Sequence, residues 1–114
     1  NTKFNGLVYD MEKFVSEKKY LYNSSCTIFK SCFPNWDNTA RKCYKKAKIY
    51  QCTPSIYKKW LKDIISWTKK NHNKNEQMVF INAWNEWAEG AHLEPDQKYG
   101  YAFLEATKQA LEET

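Results

Sequence analysis

The sequence reads as an α/β fold with about two parallel strands and three helices, and three observations predict it. Apolar residues recur at helical spacing in three stretches, two short runs rich in β-branched and aromatic residues lie between them, and each run empties into a polar loop. The order helix, strand, helix, strand, helix is the alternation that parallel strands with right-handed crossovers produce. Two strands cannot form a sheet that covers itself. The 114 residues are therefore expected to be a single partial domain, the last two or so β/α units of a larger barrel or open sheet, since a closed barrel of this kind needs about 250 residues. A chain that begins at Asn1 without methionine and ends in a polar helix tail agrees with that expectation.

From Tyr9 to about Tyr20, Met11, Phe14 and Val15 recur at helical spacing behind Asp10, a good N-cap, and Lys18 and Lys19 close the segment where cations suit the helix dipole. Ser25 to Phe33 follows as a strand, bounded by Asn23-Ser24 and Pro34-Asn35. The loop after it holds Trp36, Asp37 and Asn38. An indole face packs on sugar C–H groups while a carboxylate and an amide satisfy hydroxyls; the plainer reading of the same triplet is an Asx-turn beneath a core tryptophan.

The next helix, about Pro54 to Lys70, starts at Thr53 as N-cap with proline in the first position. Ile56, Trp60, Ile64 and Trp67 form its stripe, widened by Leu61 and Ile65, with lysines opposite. Its tryptophans are expected in the core. His72 to Asn75 make a polar connector with His72 in solvent. Met78 to Ile81 is apolar without alternation, the mark of a strand buried on both faces. After Asp96, a turn through Gly100 leads into a last helix, Tyr101 to Glu113, with Phe103, Ala106 and Ala110 beside Leu104, Thr107 and Leu111.

The formal charge of +5 concentrates in Arg41, Lys42, Lys45, Lys46 and Lys48 and in lysines of the Pro54 helix. Such clusters bind phosphate backbones, yet no nucleic-acid motif accompanies them, so a solvated face is expected and nucleic acid is not a predicted partner. Cys26, Cys32, Cys43 and Cys52 lack a C-x-x-C spacing, and only His72 and His92 could add nitrogen ligands; no metal site and no organic cofactor are predicted. Reduced thiols suit a cytoplasmic chain, the expected location, with two disulfides the alternative for a secreted one. No run reaches the roughly 20 apolar residues of a membrane span.

The polar loop from Asn82 to Asp96 carries Asn82, Trp84, Asn85, Glu86, Trp87, Glu89, His92 and Glu94 at the carboxyl end of a predicted strand, where α/β folds bind ligands. Glu86 and Glu89, three apart, reach one pocket if the chain turns through Trp87 and Ala88, and Gly90 permits such a turn. Carboxylates about 5 to 5.5 Å apart serve retaining glycosidases and a pair about 6.5 to 9.5 Å apart inverting ones. Neighbouring tryptophans exclude water and separate acid from base. From the residues alone, helix capping and salt bridges, or a cation site including Glu94 and Asp96, stand beside that reading.

The string NAWNEWAEGAHLEPD, followed by YGYAFLEAT and preceded by FPNWDNTAR, resembles the C-terminal part of the WbsX-like glycosyltransferase family of polysaccharide biosynthesis. That family is similar in turn to the endo-α-mannosidases of glycoside hydrolase family 99. The likeness spans about Tyr9 to Leu111 and implies the C-terminal portion of a (β/α)₈ TIM-type barrel. It also implies glycosyl transfer or hydrolysis in the assembly of a lipopolysaccharide or O-antigen-type polymer, with retention. Carried over by position, Glu86 acts as base on the sugar 2-hydroxyl and Glu89 as acid/base at the glycosidic oxygen. Trp36, Asp37, Asn38, Asn82, Trp84, Asn85, Trp87, His92 and Glu94 then line the substrate site, while Ala88 and His92 fall where the mannosidases vary. The partners so implied are an oligosaccharide or polysaccharide and the remainder of the barrel. A non-catalytic glycan-binding module is the alternative.

Overall fold

Helix α2 (Pro54–Asn71) is the axis on which the other elements pack. Its start follows the sequence: Thr53 has extended backbone, its Oγ1 accepts the Ile56 N–H at 3.3 Å, and Pro54 occupies the first helical position. The computed structural model describes residues 4–42 and 46–114. Tyr57, Trp60, Leu61, Ile64, Ile65 and Thr68 are the buried residues of α2. The stripe is thus turned from the expected one toward Tyr57 and Leu61, leaving Ile56 and Trp67 half-buried at its borders.

Helix α3 (Ala102–Glu112) causes that rotation. It lays Phe103, Ala106 and Ala110 against α2, its two alanines allowing close approach. The Tyr57 hydroxyl meets Thr107 Oγ1 at 2.9 Å, and the Tyr57 and Phe103 rings meet edge-on with centroids 5.5 Å apart. At the far end Glu113 bridges Lys58 and Lys62 of α2 at 2.7 and 2.6 Å. Helix α1 (Met11–Glu17) packs on the opposite flank through Met11 and Val15. Asp10 caps it as expected, accepting from the Lys13 N–H at 3.0 Å. It stops short of Tyr20 because Lys18 takes a left-handed conformation, φ 53°.

Both expected strands are present and parallel, though much shorter. Strand β2 (Ser31–Cys32) pairs with β5 (Phe80–Ile81), Ser31 opposite Phe80 and Cys32 opposite Ile81. Cys32 is buried beneath α2 with Ile81 packed nearby. The alternate positions lie on an uncovered face, where Phe80 is 55% exposed, Met78 48% and Phe29 40%. Burial of Met78 to Ile81 on both faces does not hold: helices cover one side of this pair, while Met78 and Phe80 on the other stay exposed.

Two small sheets were not expected. Strands β1 (Leu7–Tyr9), β4 (Lys48–Tyr50) and β3 (Trp36–Asp37) lie in the order β1, β4, β3, with β1 parallel and β3 antiparallel to β4. The facing rings of Tyr9 and Tyr50 stack at 4.2 Å. Strands β6 (Asn85–Glu86) and β7 (Ala91–His92) form an antiparallel hairpin. The architecture is a mixed α/β one with three α-helices and small sheets. Cys26, Cys32 and Cys52 are free thiols, Cys26 exposed and the other two buried; Cys43, like Lys45 of the basic loop, lies outside the described residues. His72 is half-buried rather than solvated, its ring against Phe29 and Trp67 and its Nδ1 2.9 Å from the Glu76 carbonyl. No helix among the described residues is long and apolar enough to cross a membrane.

Candidate functional site

Two polar loops leave the carboxyl ends of the parallel pair β2 and β5, and the fold brings them into contact. The loop after β5 passes through a cis Asn82–Ala83 peptide and enters the β6–β7 hairpin. A single 3₁₀ turn, Trp87–Glu89, joins the two strands, and Gly90 closes it at φ 62°, donating its N–H to the Trp87 carbonyl at 3.1 Å. That left-handed backbone favours glycine. A Cβ at position 90 would stand 3.8 Å from the Asp37 nitrogen and 3.9 Å from its Cβ, so the carboxylate turn rests on the Trp36-Asp37-Asn38 loop at ordinary contact distance.

The pairing Asn85 with His92 and Glu86 with Ala91 puts the first two side chains on one face of the hairpin and Glu86 on the other. Ala91 is fully buried, which anchors the hairpin. The Trp84 carbonyl accepts from the N–H groups of Leu93 (2.9 Å) and Glu94 (3.1 Å), folding the following segment back, and buried Leu93 fixes it to the core. Trp84 and Trp87 leave the surface 56% and 50% exposed, two indoles presented rather than packed away.

The two glutamates meet different surroundings. Arg41 Nη1 lies 3.3 Å from Glu89 Oε1, and the Glu89 side chain is only 16% exposed. Glu86 is half-buried, and its carboxylate has no hydrogen-bond or ion-pair partner among the described residues. His92 is held from two sides: its ring lies 3.6 Å from that of Trp87, and its Nε2 stands 3.6 Å from Asp96 Oδ2. Asp96 Oδ1 accepts the Tyr99 N–H at 2.6 Å, which fixes the carboxylate in turn. Its Nδ1 is buried without a partner among the described residues. No group of three or more His, Cys, Asp or Glu able to hold a metal occurs among the described residues.

Of the residues singled out by sequence, Asp37 lies against the turn that carries Trp87 and Glu89, and Trp87 meets His92. Asp37 Oδ1 caps its own turn through the Thr39 N–H at 2.9 Å. Trp36 lies half-buried on β3 with its ring 6.3 Å from that of Phe33. Asn38 is 8% exposed and serves the backbone: its Oδ1 accepts the Lys48 N–H at 2.7 Å, and its carbonyl accepts the N–H groups of Arg41 and Lys42, each at 3.0 Å. Asn82 and Asn85 are exposed and Glu94 is half-buried. Arg41 is a member of the cluster that the sequence reading did not single out, and Asp96, named there only for a cation site, instead faces His92. The available signal for Arg41 was its place at the end of the same W-D-N-T-A-R string. A cleft of about 400 Å³, lined by Asn23, Cys26, Trp67 and His72 among others, shares none of these residues.

The model of a family described as Glycosyltransferase WbsX matches residues 1–107. Two curated proteins from strains of Xanthomonas campestris pv. campestris, each called WxcX and described as uncharacterized, are 40% identical to the chain over 111 residues. The match covers 97% of this chain and 16% of theirs, so the chain spans about one sixth of the length of these relatives. No solved structure matches.

Proposed function

Since the chain belongs to the WbsX glycosyltransferase family, we propose that it supplies the carboxylate loop of a carbohydrate-active site that transfers glycosyl units during polysaccharide synthesis, with retention and with Glu86 and Glu89 as its catalytic groups. The observation that carries this reading is the junction of the two loops: Gly90 seated on Asp37, and Arg41 of one loop paired with Glu89 of the other. Two carboxylates in unlike surroundings suit unlike roles. The unpaired Glu86 is the base toward the sugar 2-hydroxyl, and Glu89 acts at the glycosidic oxygen. Trp84 and Trp87 offer stacking faces for sugar rings, His92 and the nearby amides meet hydroxyls, and no metal or organic cofactor takes part.

The same reading extends to the fold. Loops leaving the carboxyl ends of parallel strands, with helices over one face and an apolar open face opposite, suit the last units of a TIM-type barrel whose remaining strands cover Phe29, Met78 and Phe80. The test is glycosyl transfer by the intact protein bearing Glu86→Gln or Glu89→Gln. Each substitution is expected to lower turnover by about 10²- to 10⁴-fold while leaving glycan affinity within a few-fold. Unchanged turnover in both variants would refute the assignment, and glycan binding with no turnover in the native protein would mark a binding module instead.

A further inference from the structure

Arg41 does not sit alone beside Glu89. The Asn38 carbonyl and side-chain oxygen gather the backbones of Arg41, Lys42 and Lys48 onto one residue, next to the Asp37 on which the Gly90 turn rests. The backbones of Arg41, Lys42 and Lys48 are thereby held at the edge of the carboxylate turn. Lys42 and Lys48 are exposed and pair with no acid among the described residues. The Arg41 side chain is 56% exposed, and its contact with Glu89 runs through one nitrogen to one oxygen at 3.3 Å. A guanidinium carries five N–H donors in a fork that suits phosphate, so most of that capacity faces outward. The pair is monodentate and its arginine end is exposed, so an anion carrying more charge competes with the carboxylate for the guanidinium.

We propose that Arg41, flanked by Lys42 and Lys48, forms a phosphate subsite for an activated glycosyl donor, and that the incoming phosphate exchanges with Glu89 for the guanidinium. The inference rests on the transferase reading above and deepens it. An alcohol leaving group needs a proton, but a phosphate leaving group departs as an anion and needs a cation beside it. The exchange also frees the ionised Glu89 carboxylate, which then takes the proton of the acceptor hydroxyl as that oxygen bonds to the sugar and the phosphate departs.

Inorganic pyrophosphate, titrated calorimetrically into the intact protein at fixed ionic strength, tests this without requiring turnover. A saturable site is expected, at least tenfold weaker in Arg41→Ala and threefold or more tighter in Glu89→Gln, where the competing charge is gone. Lys70→Ala, which removes an exposed cation from the far end of α2, should change nothing. Glucuronate, an anionic sugar of the kind found in acidic polymers, should bind at least tenfold more weakly than pyrophosphate. Equal pyrophosphate affinity in the native and Arg41→Ala proteins, weaker binding in Glu89→Gln, or glucuronate bound as tightly as pyrophosphate would each overturn the proposal. Because Glu89→Gln predicts a gain of binding, misfolding of the Arg41 variant leaves that arm decisive. Pyrophosphate binding that follows these rules alongside full turnover in Glu86→Gln and Glu89→Gln would keep the subsite and discard the catalytic assignment.

Discussion

At the scale of single residues, the environment of a side chain decides its chemistry more than its type does. Three cysteines show this. Burial beneath α2 pushes the Cys32 thiol far up, with the neighbouring Cys52 adding to it, and desolvation pushes Cys52 up to about 12. The thiolate is the reactive form, so at pH 8 these two positions hold almost none of it, whereas Cys26 is exposed. Alkylation of the native protein with iodoacetamide at pH 8, read by peptide mass mapping, is therefore expected to modify Cys26 while Cys32 and Cys52 stay intact until denaturant is added. Equal rates at all three would show that the β2–α2 contact opens readily. Glu86 and Glu89 follow the same principle: one type, three positions apart, one carboxylate without a partner among the described residues and the other facing a guanidinium.

At the scale of elements, the α2–α3 pair carries most of the packing, and its electrostatic clamp is open to test. Hydrogen bonds from Lys58 and then Lys62 hold the Glu113 carboxyl below its ordinary value. A depressed folded value means that the clamp stabilises the fold above the unfolded carboxylate range and is lost as pH falls through the lower, folded value. Denaturant midpoints are thus expected to drop on acidification from about pH 5 to pH 3, and Glu113→Gln should flatten that slope while lowering the midpoint at pH 7 only slightly, as befits exposed groups. A slope unchanged by the substitution would assign the acid sensitivity elsewhere. Helices such as these were legible in the sequence because a full apolar period and a capping Thr53 or Asp10 are local signals. Strands of two or three residues hold no period to read, and the β1–β4–β3 sheet exists through partners some 40 residues apart, Leu7 facing Lys48. The carboxylate loop was legible from its composition, but Arg41 was not, since a lone cation reads as solvated until its acid is known. Asn38 was legible as a polar loop residue, while its work for the backbone of Lys48 depends on a strand that the sequence does not announce.

At the scale of the whole molecule, the described structure is open. Its radius of gyration is 15.3 Å and its extents are 53 × 33 × 22 Å, whereas a compact domain of this length has a radius near 13 Å. The excess accompanies exposed apolar residues on several elements: Leu7 and Val8 on β1, Phe29, Met78 and Phe80 on the open side of the β2–β5 pair, and Leu111 on α3. Apolar patches of this kind mark surfaces that bury themselves against other protein, and a two-stranded sheet is marginal without covering. The 114-residue chain expressed by itself is therefore expected to associate at tens of micromolar and to melt over a broad range, as sedimentation velocity and circular dichroism would record. Met78→Glu and Phe80→Glu act where the isolated chain has nothing to lose, so they should shift it toward monomer without reducing its helix content. Placed in the intact protein, the same two substitutions should lower the melting temperature by several degrees under the proposed barrel reading, in which a charge is driven into a covered apolar face. A native-sequence chain that sediments as a monomer with one sharp transition would show that this face is solvent-adapted and would remove the main support for a covering barrel wall.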